Sequence, residues 1–420
     1  MTTVNSAREV PGYSLAERDR RWRMAREVMG EVGVDALVVF GDREGVGPAP
    51  FAPDVFFTND RPGSIVIFCG DEEPFELVFS PMAISDHLES IDRGEAVWVP
   101  PEHVGVGRNP MGVAQVLTEH GLGDAVIGVV GLEPYAPFYF NGAIPHALVA
   151  GIESALPGAT LRPAWRPLAR RMAVLSDEQL AVVRRCAEIG ERMAGAMVDA
   201  ARPGATQADL VAAAMHEAYA GGGSSPYIVL NSGPRFWNWG PPAWLYRPEA
   251  PRVIESGDVI LAELFSTFAM AETQHQVAIA VGDVDPMYDK LAEACRASYQ
   301  EGIATVRPGA TFGDVVAAMR APIDAIGGWN LTPLVHGLNP ILFVDGCGEG
   351  LVSVPGADRY RHLGAIPTIG ADVPLQEGMT FAFEPDCFVG DIQMNLGTTV
   401  IVGPDGAEEL STFTNQLVHV

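Results

Sequence analysis

Two glutamates and one histidine stand in stretches of this chain that are otherwise apolar. Glu263 closes the run Val259-Ile260-Leu261-Ala262, Glu384 follows Phe381-Ala382-Phe383, and His336 lies between Val335 and Gly337. A carboxylate buried without a partner is costly, so each acid must have either a partner or a task. Two carboxyl groups beside one imidazole shift each other's proton affinities, which is how a site obtains a general acid and a general base near neutral pH. On pattern alone His336 reads as a satisfied core histidine. Gln274, His275 and Gln276 form a second group. Strand alternation puts the two amides on one face and His275 on the other, leaving His275 open between a structural and a substrate-binding role. Further on, Asp386, Asp391, Gln393 and Asn395 alternate with apolar residues and read as the solvent face of a strand. Gln393 and Asn395 share one face and remain candidates for ligand contact.

The elements that must position these groups are legible as a duplication. Arg202-Pro203-Gly204-Ala205-Thr206-Gln207-Ala208-Asp209 recurs as Arg307-Pro308-Gly309-Ala310-Thr311-Phe312-Gly313-Asp314. In both copies Pro-Gly ends one helix, Thr caps the next, and Asp sits in its first turn. Two copies this far apart are no solenoid but a domain of two halves, each supplying a helix pair and a hairpin, with the site between them. The amino-terminal part has another rhythm: a helical stretch over 15–33, then short apolar strands at 35–41, 64–69, 75–79 and 125–131 with helices between. This is an α/β unit of ordinary domain size. Ser176-Asp177-Glu178-Gln179 reads as a capping box opening a long helix, so the expected domains are 1–172 and 173–420.

Four segments carry a family resemblance: Ser256-Gly257-Asp258-Val259-Ile260-Leu261-Ala262-Glu263, Gln274-His275-Gln276, Val335-His336-Gly337-Leu338-Asn339, and Gly378 to Pro385 followed by Gly397-Thr398-Thr399-Val400-Ile401-Val402. In order and spacing they resemble the pita-bread family of methionine aminopeptidase, aminopeptidase P, prolidase, creatinase and some sulfonium lyases. The resemblance implies an α/β (α+β) chain, a creatinase-like α/β domain followed by a pita-bread domain with an internal pseudo-twofold duplication. It also implies a homodimer in which the first domain reaches over the partner's site. The family's metal ligands fall here on Glu263, Gln274, His336, Glu384 and Gly397, so only His336 and Glu384 keep the family's residue types. A neutral Gln cannot offset ion charge and Gly397 has no side chain, so neither a dinuclear centre nor any other cofactor is expected. The family's second histidine falls on Phe343, and the window between Asn231 and Ser256 holds Phe236, Trp237, Trp239 and Trp244 instead of a histidine. Those aromatics form either an apolar or cation-binding wall or a packing cluster. Creatinase works without a metal, but its histidine falls in the aromatic window and its glutamate on Gln276, so its arrangement is not copied. Arg61, in Phe56-Phe57-Thr58-Asn59-Asp60-Arg61, is either a clamp for a substrate carboxylate or a loop cation.

Composition bounds the remaining choices. A chain of 420 residues, 48% hydrophobic and 19% charged, can bury two cores, and its net charge of -26 argues against nucleic-acid or anionic-membrane partners. Five cysteines without metal or disulfide spacing fit a reducing cytoplasm, and neither a signal peptide nor a membrane-spanning run is read. The expectation is a metal-independent hydrolase of creatinase type acting on a C–N bond of a small polar molecule. In it His336 would shuttle the proton, Glu384 and Glu263 would share it, and Gln274 would position substrate or water. Arg61, Trp237, Trp239, His275, Gln276, Phe343 and Asn395 are the substrate-contact candidates. Elimination on the same scaffold, a Xaa-Pro peptidase-like enzyme with one metal on Glu263, His336 and Glu384, and a catalytically inactive binding module are the alternatives.

Overall fold

The structure is a computed structural model that describes residues 10–41, 52–137, 143–235, 239–348, 353, 356–360 and 365–420. The chain forms two compact units, the first reaching Met172 and including Ser176–Val182, the second holding Ala173–Leu175 and Val183–Val420. No described helix is long and apolar enough to cross a membrane.

The first unit opens with α1 (Leu15–Val32). Ser14 starts it by accepting a hydrogen bond from Glu17 N at 3.2 Å, and Gly33 ends it in the left-handed conformation at φ 66°. The chain continues through β1 (Ala36–Phe40), α2 (Pro53–Thr58), β2 (Ile65–Cys69), β3 (Phe75–Val78), α3 (Pro81–Asp92), β4 (Val104–Val106), α4 (Pro110–Glu119), β5 (Val126–Val130), α5 (His146–Ala155), β6 (Thr160–Pro163) and α6 (Trp165–Met172). The six strands form one mixed sheet in the order β4-β3-β2-β1-β5-β6, with β1 antiparallel to β2 and parallel to β5. Every residue of β1 and β2 is buried, which is why both read as continuous apolar runs and not as alternation.

The second unit is the duplicated one. α7 (Asp177–Ala200), α8 (Gln207–Ala220), β7 (Ile228–Gly233), β8 (Val259–Phe268) and β9 (Ala271–Ala280) make the first half. α9 (Met287–Thr305), α10 (Phe312–Ala325), β10 (Val335–Leu338), β11 (Thr380–Phe383), β12 (Asp386–Val389), β13 (Ile392–Asn395) and β14 (Gly397–Val402) make the second. Thr206 and Thr311 each close a full capping box with Asp209 and Asp314. The preceding turns repeat as well: Gly204 N donates to Ile254 O at 2.9 Å and Gly309 N to Leu375 O at 2.9 Å, both glycines at positive φ of 90° and 87°. Six of these strands lie in one sheet in the order β10-β11-β14-β9-β8-β7, so the halves meet where β9 pairs with β14, while β12 and β13 pair with each other in a separate two-stranded sheet. One register sets the whole site. Glu263 pairs with Gln276 in β8–β9, and Gln276 in turn pairs across the junction with Gly397. Gly257 and Gly378, both at positive φ, open the two equivalent strands, and Glu263 and Glu384 stand equally far beyond them.

Helices pack on one face of this sheet along its length and reach the other only at the end of β8 and β9, where Val259, Leu261, Ala278 and Ala280 join Tyr288, Leu291 and Cys295 of α9. Ile260, Ala262, Leu264, Val277 and Ile279 pack with Ile189, Met193 and Leu210 of α7 and α8. Phe381, Phe383, Val400, Cys387 and Met394 pack with Tyr299, Phe312 and Met319 of α9 and α10. By alternation, Glu263, Gln274, Gln276, Ala382, Glu384, Gln393, Asn395 and Thr399 are left facing the other way.

Candidate active site

Four strands deliver the chemistry to that opposite face. β10 places His336 beside Ala382 of β11, β11 pairs Ala382 with Thr399 of β14, and Gln274 N donates to Thr399 Oγ1 at 2.8 Å. His336, Glu384, Glu263, Gln274 and Gln276 are all buried. His336 Nδ1 donates to Gly337 O at 3.0 Å, which places a proton on that nitrogen. Its Nε2 then faces two oxygens, Gln274 Oε1 at 3.2 Å and Glu384 Oε1 at 3.3 Å. The Gln274 amide cannot turn to relieve this, because its Nε2 donates to Glu272 Oε1 at 3.0 Å. A proton must therefore lie between Glu384 and His336, either on the carboxyl or on the ring.

The rest of the site decides how evenly that proton is contested. Gln276 Nε2 donates to Glu384 Oε2 at 3.0 Å, and the Glu263 carboxyl hydrogen-bonds Glu384. Burial raises Glu384 to about 8, opposed by its bond with Glu263. Burial also raises Glu263 well above the carboxylate range, and the Glu384 charge adds to this. Glu263 is thus the protonated member that donates, and Glu384 the acceptor. Burial lowers His336, while the Gly337 carbonyl and the charges of Glu263 and Glu272 oppose that. An acid raised and a base lowered bring the proton affinities of Glu384 and His336 together, so transfer between them is cheap in either direction.

This donor set does not fit the metal centre that the resemblance implies. Gln274 supplies only a neutral oxygen, already engaged with His336, and the carboxyl oxygens of Glu384 are taken by His336 and Gln276. At the fifth position, Gly397 has φ 129°, and a Cβ there would lie 1.9 Å from Phe383 O. Among the described residues no group of three or more His, Cys, Asp or Glu side chains is arranged to hold a metal ion.

Other candidates read from the sequence fall elsewhere. His275 faces the helices: its Nε2 lies 3.3 Å from Thr273 Oγ1, a Cβ on Gly190 of α7 would meet that nitrogen, and burial lowers it to about 4. It belongs to the core, not to the site. Phe343 is corrected likewise, since its ring packs on Phe312 and Phe381. Trp239 packs against the same core. Trp237, with Phe236, lies outside the described residues. Arg61 lies in the first unit, 71% exposed and ion-paired with Asp86, on the rim of a groove there. The solvent-face reading of Asp386, Gln393 and Asn395 is wrong: all three are 1% exposed, in a β12–β13 hairpin whose other side packs Cys387 and Met394 into the core of α9 and α10. Asp386 accepts bonds from Leu331 N and Thr332 Oγ1 at 2.8 and 2.9 Å. Sequence reasoning missed Glu272, Thr399 and Asn339. Glu272 was findable, since it continues the alternation of Gln274 and Gln276, whereas Asn339, which holds Glu272 N at 2.9 Å, carries no such signal.

Comparison with known proteins agrees with this architecture. Residues 181–404 match the model of metallopeptidase family M24. Methionine aminopeptidase B of Synechocystis sp. is 28% identical over 158 residues, 37% of this chain, and the chain spans about half (52%) of that relative's length. Dipeptidase PepE of Mycobacterium ulcerans superposes with a TM-score of 0.72 at 17% identity, over 97% of this chain and 99% of that one. A Xaa-Pro dipeptidase of Bacillus anthracis gives 0.71 at 15% identity, over 96% and 100%. At these identities the likeness shows the fold, which is the pita-bread architecture.

Proposed function

Starting from a chain that belongs to metallopeptidase family M24, we propose that it is a hydrolase that opens a C–N bond of a small polar molecule without a metal, using Glu384 and His336 as its proton-transfer pair. The observation that carries this reading is the contested proton: His336 Nε2 lies 3.3 Å from Glu384 Oε1, with no other hydrogen-bond geometry that satisfies both. When the proton rests on Glu384, His336 is a neutral base whose Nε2 takes a proton from a water molecule once that water displaces the Glu384 contact. That water's oxygen bonds to the substrate carbon, the C–N bond breaks, and the departing nitrogen takes a proton back from Glu384 or the ring. Net, one water adds across the bond. Glu263 stays protonated and donates to Glu384, while Glu272 and Gln274 hold the ring in its plane. The loss of three of the family's ligand types at Glu263, Gln274 and Gly397 supports metal independence.

The test is turnover on a panel of small amides, ureas and amidines in the presence and absence of chelator. Glu384→Gln and His336→Ala should each lower the rate at least about a hundredfold with the fold retained, and chelator should leave the parent rate unchanged. Parent-level turnover in both folded variants would sink the assignment, and activity lost to chelator and restored by a divalent ion would return the chain to metal chemistry.

A further inference from the structure

At one constant spacing along the sequence the duplication gives the acids and amides of β8 and β9 a counterpart: Glu263 with Glu384, Gln276 with Gly397, Gln274 with Asn395, and Glu272 with Gln393. In the first half these groups satisfy one another, Gln274 bonding Glu272 and His336. In the second they do not. Asn395 Oδ1 and Nδ2 and Gln393 Oε1 have no hydrogen-bond partner there, and across the junction Gln276 Oε1 has none either, although each side chain is only 1% exposed. Rotating amides does not cure this: both ends of Asn395 are unmatched, and Gln276 is fixed by its bond to Glu384. Natural interiors leave few such atoms, and four of them, on Gln276 of β9 and on Gln393 and Asn395 of the neighbouring β12–β13 hairpin, indicate a ligand's place.

The chemistry of the missing partner follows from the inventory. Three of the four atoms are acceptors and one is a donor, so the partner must bring several N–H or O–H groups. Charge narrows it further. Among the described residues, the groups acting on Glu263 and Glu384 are acids, Gln276 and His336, with no arginine or lysine among them. Without a cation beside it burial holds protons on this pair, and a positive ligand is what would let Glu384 ionise there. We propose that this place binds a small organic cation bearing several N–H donors, an amidinium or a primary ammonium. Its hydrogens meet Gln276 Oε1, Gln393 Oε1 and Asn395 Oδ1, and its charge rests against the Glu263–Glu384 pair. The assignment deepens the reading of that pair as the working site and rests on it.

Binding can be measured on the full chain without turnover. Acetamidinium and ethylammonium are titrated by calorimetry and thermal melt, against acetamide (N–H donors, no charge), tetramethylammonium (charge, no N–H) and Mg²⁺ at matched ionic strength. Saturable binding is expected for acetamidinium or ethylammonium, whichever fits, and not for the other three. Asn395→Leu, which removes two unpaired polar atoms at nearly constant shape, should weaken that binding at least about tenfold while melting no lower than the parent. Gln393→Leu should act in the same direction and serves as the second variant. Binding by tetramethylammonium or acetamide at equal strength, stabilisation by Mg²⁺ alone, or parent-level affinity in Asn395→Leu would overturn the proposal. A markedly lower melting temperature in Asn395→Leu with no cation bound by the parent would show the amide to be structural. Because no rate is read, these outcomes stand apart from the turnover test of the proton-transfer pair.

Discussion

Glu384 should make the protein lose stability as pH rises from about 5 to about 8, and Glu384→Gln should abolish that part of the loss. Burial raises this carboxyl from 4.5 to about 8. The folded protein therefore keeps a proton that the unfolded chain releases. The stabilisation is complete below the unfolded value, fades as pH climbs, and is gone above about 8. At about 1.4 kcal/mol per unit, an isolated carboxyl shifted this far would lose ~4–5 kcal/mol across the window. Glu384 shares its proton with Glu263 and His336, so roughly 2–3 kcal/mol is expected for this residue alone. The amide introduced by Glu384→Gln would keep the contact with Gln276 and has nothing to titrate. Glu76 in the first unit, also raised to about 8 by burial, and Asp386, raised to about 7, tilt the parent in the same direction. The difference between parent and variant therefore isolates Glu384. Urea unfolding at about pH 5, 6, 7 and 8 gives it directly, with the variant gaining on the parent at each step. Hydrogen exchange of peptides spanning β11 and β14 assigns the change to this sheet. Parallel parent and variant curves would refute the reasoning. They would mean that Glu384 is ionised throughout and the contested proton sits on His336 as an imidazolium.

Gly397→Ala should cost at least about 3 kcal/mol, since φ 129° strains any side chain and the new Cβ would lie 1.9 Å from Phe383 O. Gly397→Glu, which restores the family's last acid by type, should melt lower still and gain no stoichiometric metal by elemental analysis; a folded, metal-loaded variant would contradict the steric argument. His275→Ala should lower stability by about 2–4 kcal/mol through the cavity left beneath Gly190, yet leave turnover per folded molecule within about twofold. Its depressed value of about 4 means that stability is lost as pH falls from 6.5 through about 4, and the variant should lack that acid limb. A large drop in turnover at unchanged stability would place His275 back in the site.

The parts of the fold that were legible in the sequence are those set by local chemistry. The repeated Pro-Gly-Ala-Thr turn encodes its own cap, and each copy builds the same capping box and the same glycine bond to the neighbouring strand. Alternation along β9 likewise placed Gln274 and Gln276 together and His275 apart, because a strand ten residues long keeps its period. Alternation failed for Asp386, Gln393 and Asn395. Their strands are only four residues each and follow Pro385, so the pattern gave the side they share but not whether water or protein lies there. Phe343 and Trp239 were misplaced for a related reason: an aromatic aligned with an active-site position still packs into the nearest apolar cluster if the backbone turns it there.

What the sequence could not convey is how a symmetric scaffold acquires two unequal acids. The duplication brings Glu263 and Glu384 to equivalent positions beyond Gly257 and Gly378, and left to itself it would give them identical surroundings. Two substitutions across the axis prevent that. At the junction pair, one half carries Gln276 and the other Gly397, so a single amide spans the axis and bonds Glu384. One strand out, β10 carries His336 where β7 carries Asn231, and the imidazole also falls to Glu384. Glu384 thereby accepts from the Gln276 amide and faces the imidazole, and although Gln276 also bonds Glu263, burial and the Glu384 charge leave the proton on Glu263. Neighbouring titratable groups whose environments push their proton affinities apart are what acid–base chemistry requires. The glycine at 397 is therefore more than a lost ligand. A Cβ there would lie 1.9 Å from Phe383 O and 3.2 Å from Glu384 Cα, so any side chain at 397 would displace the backbone that carries Glu384 and, with it, the contacts that set the two acids apart.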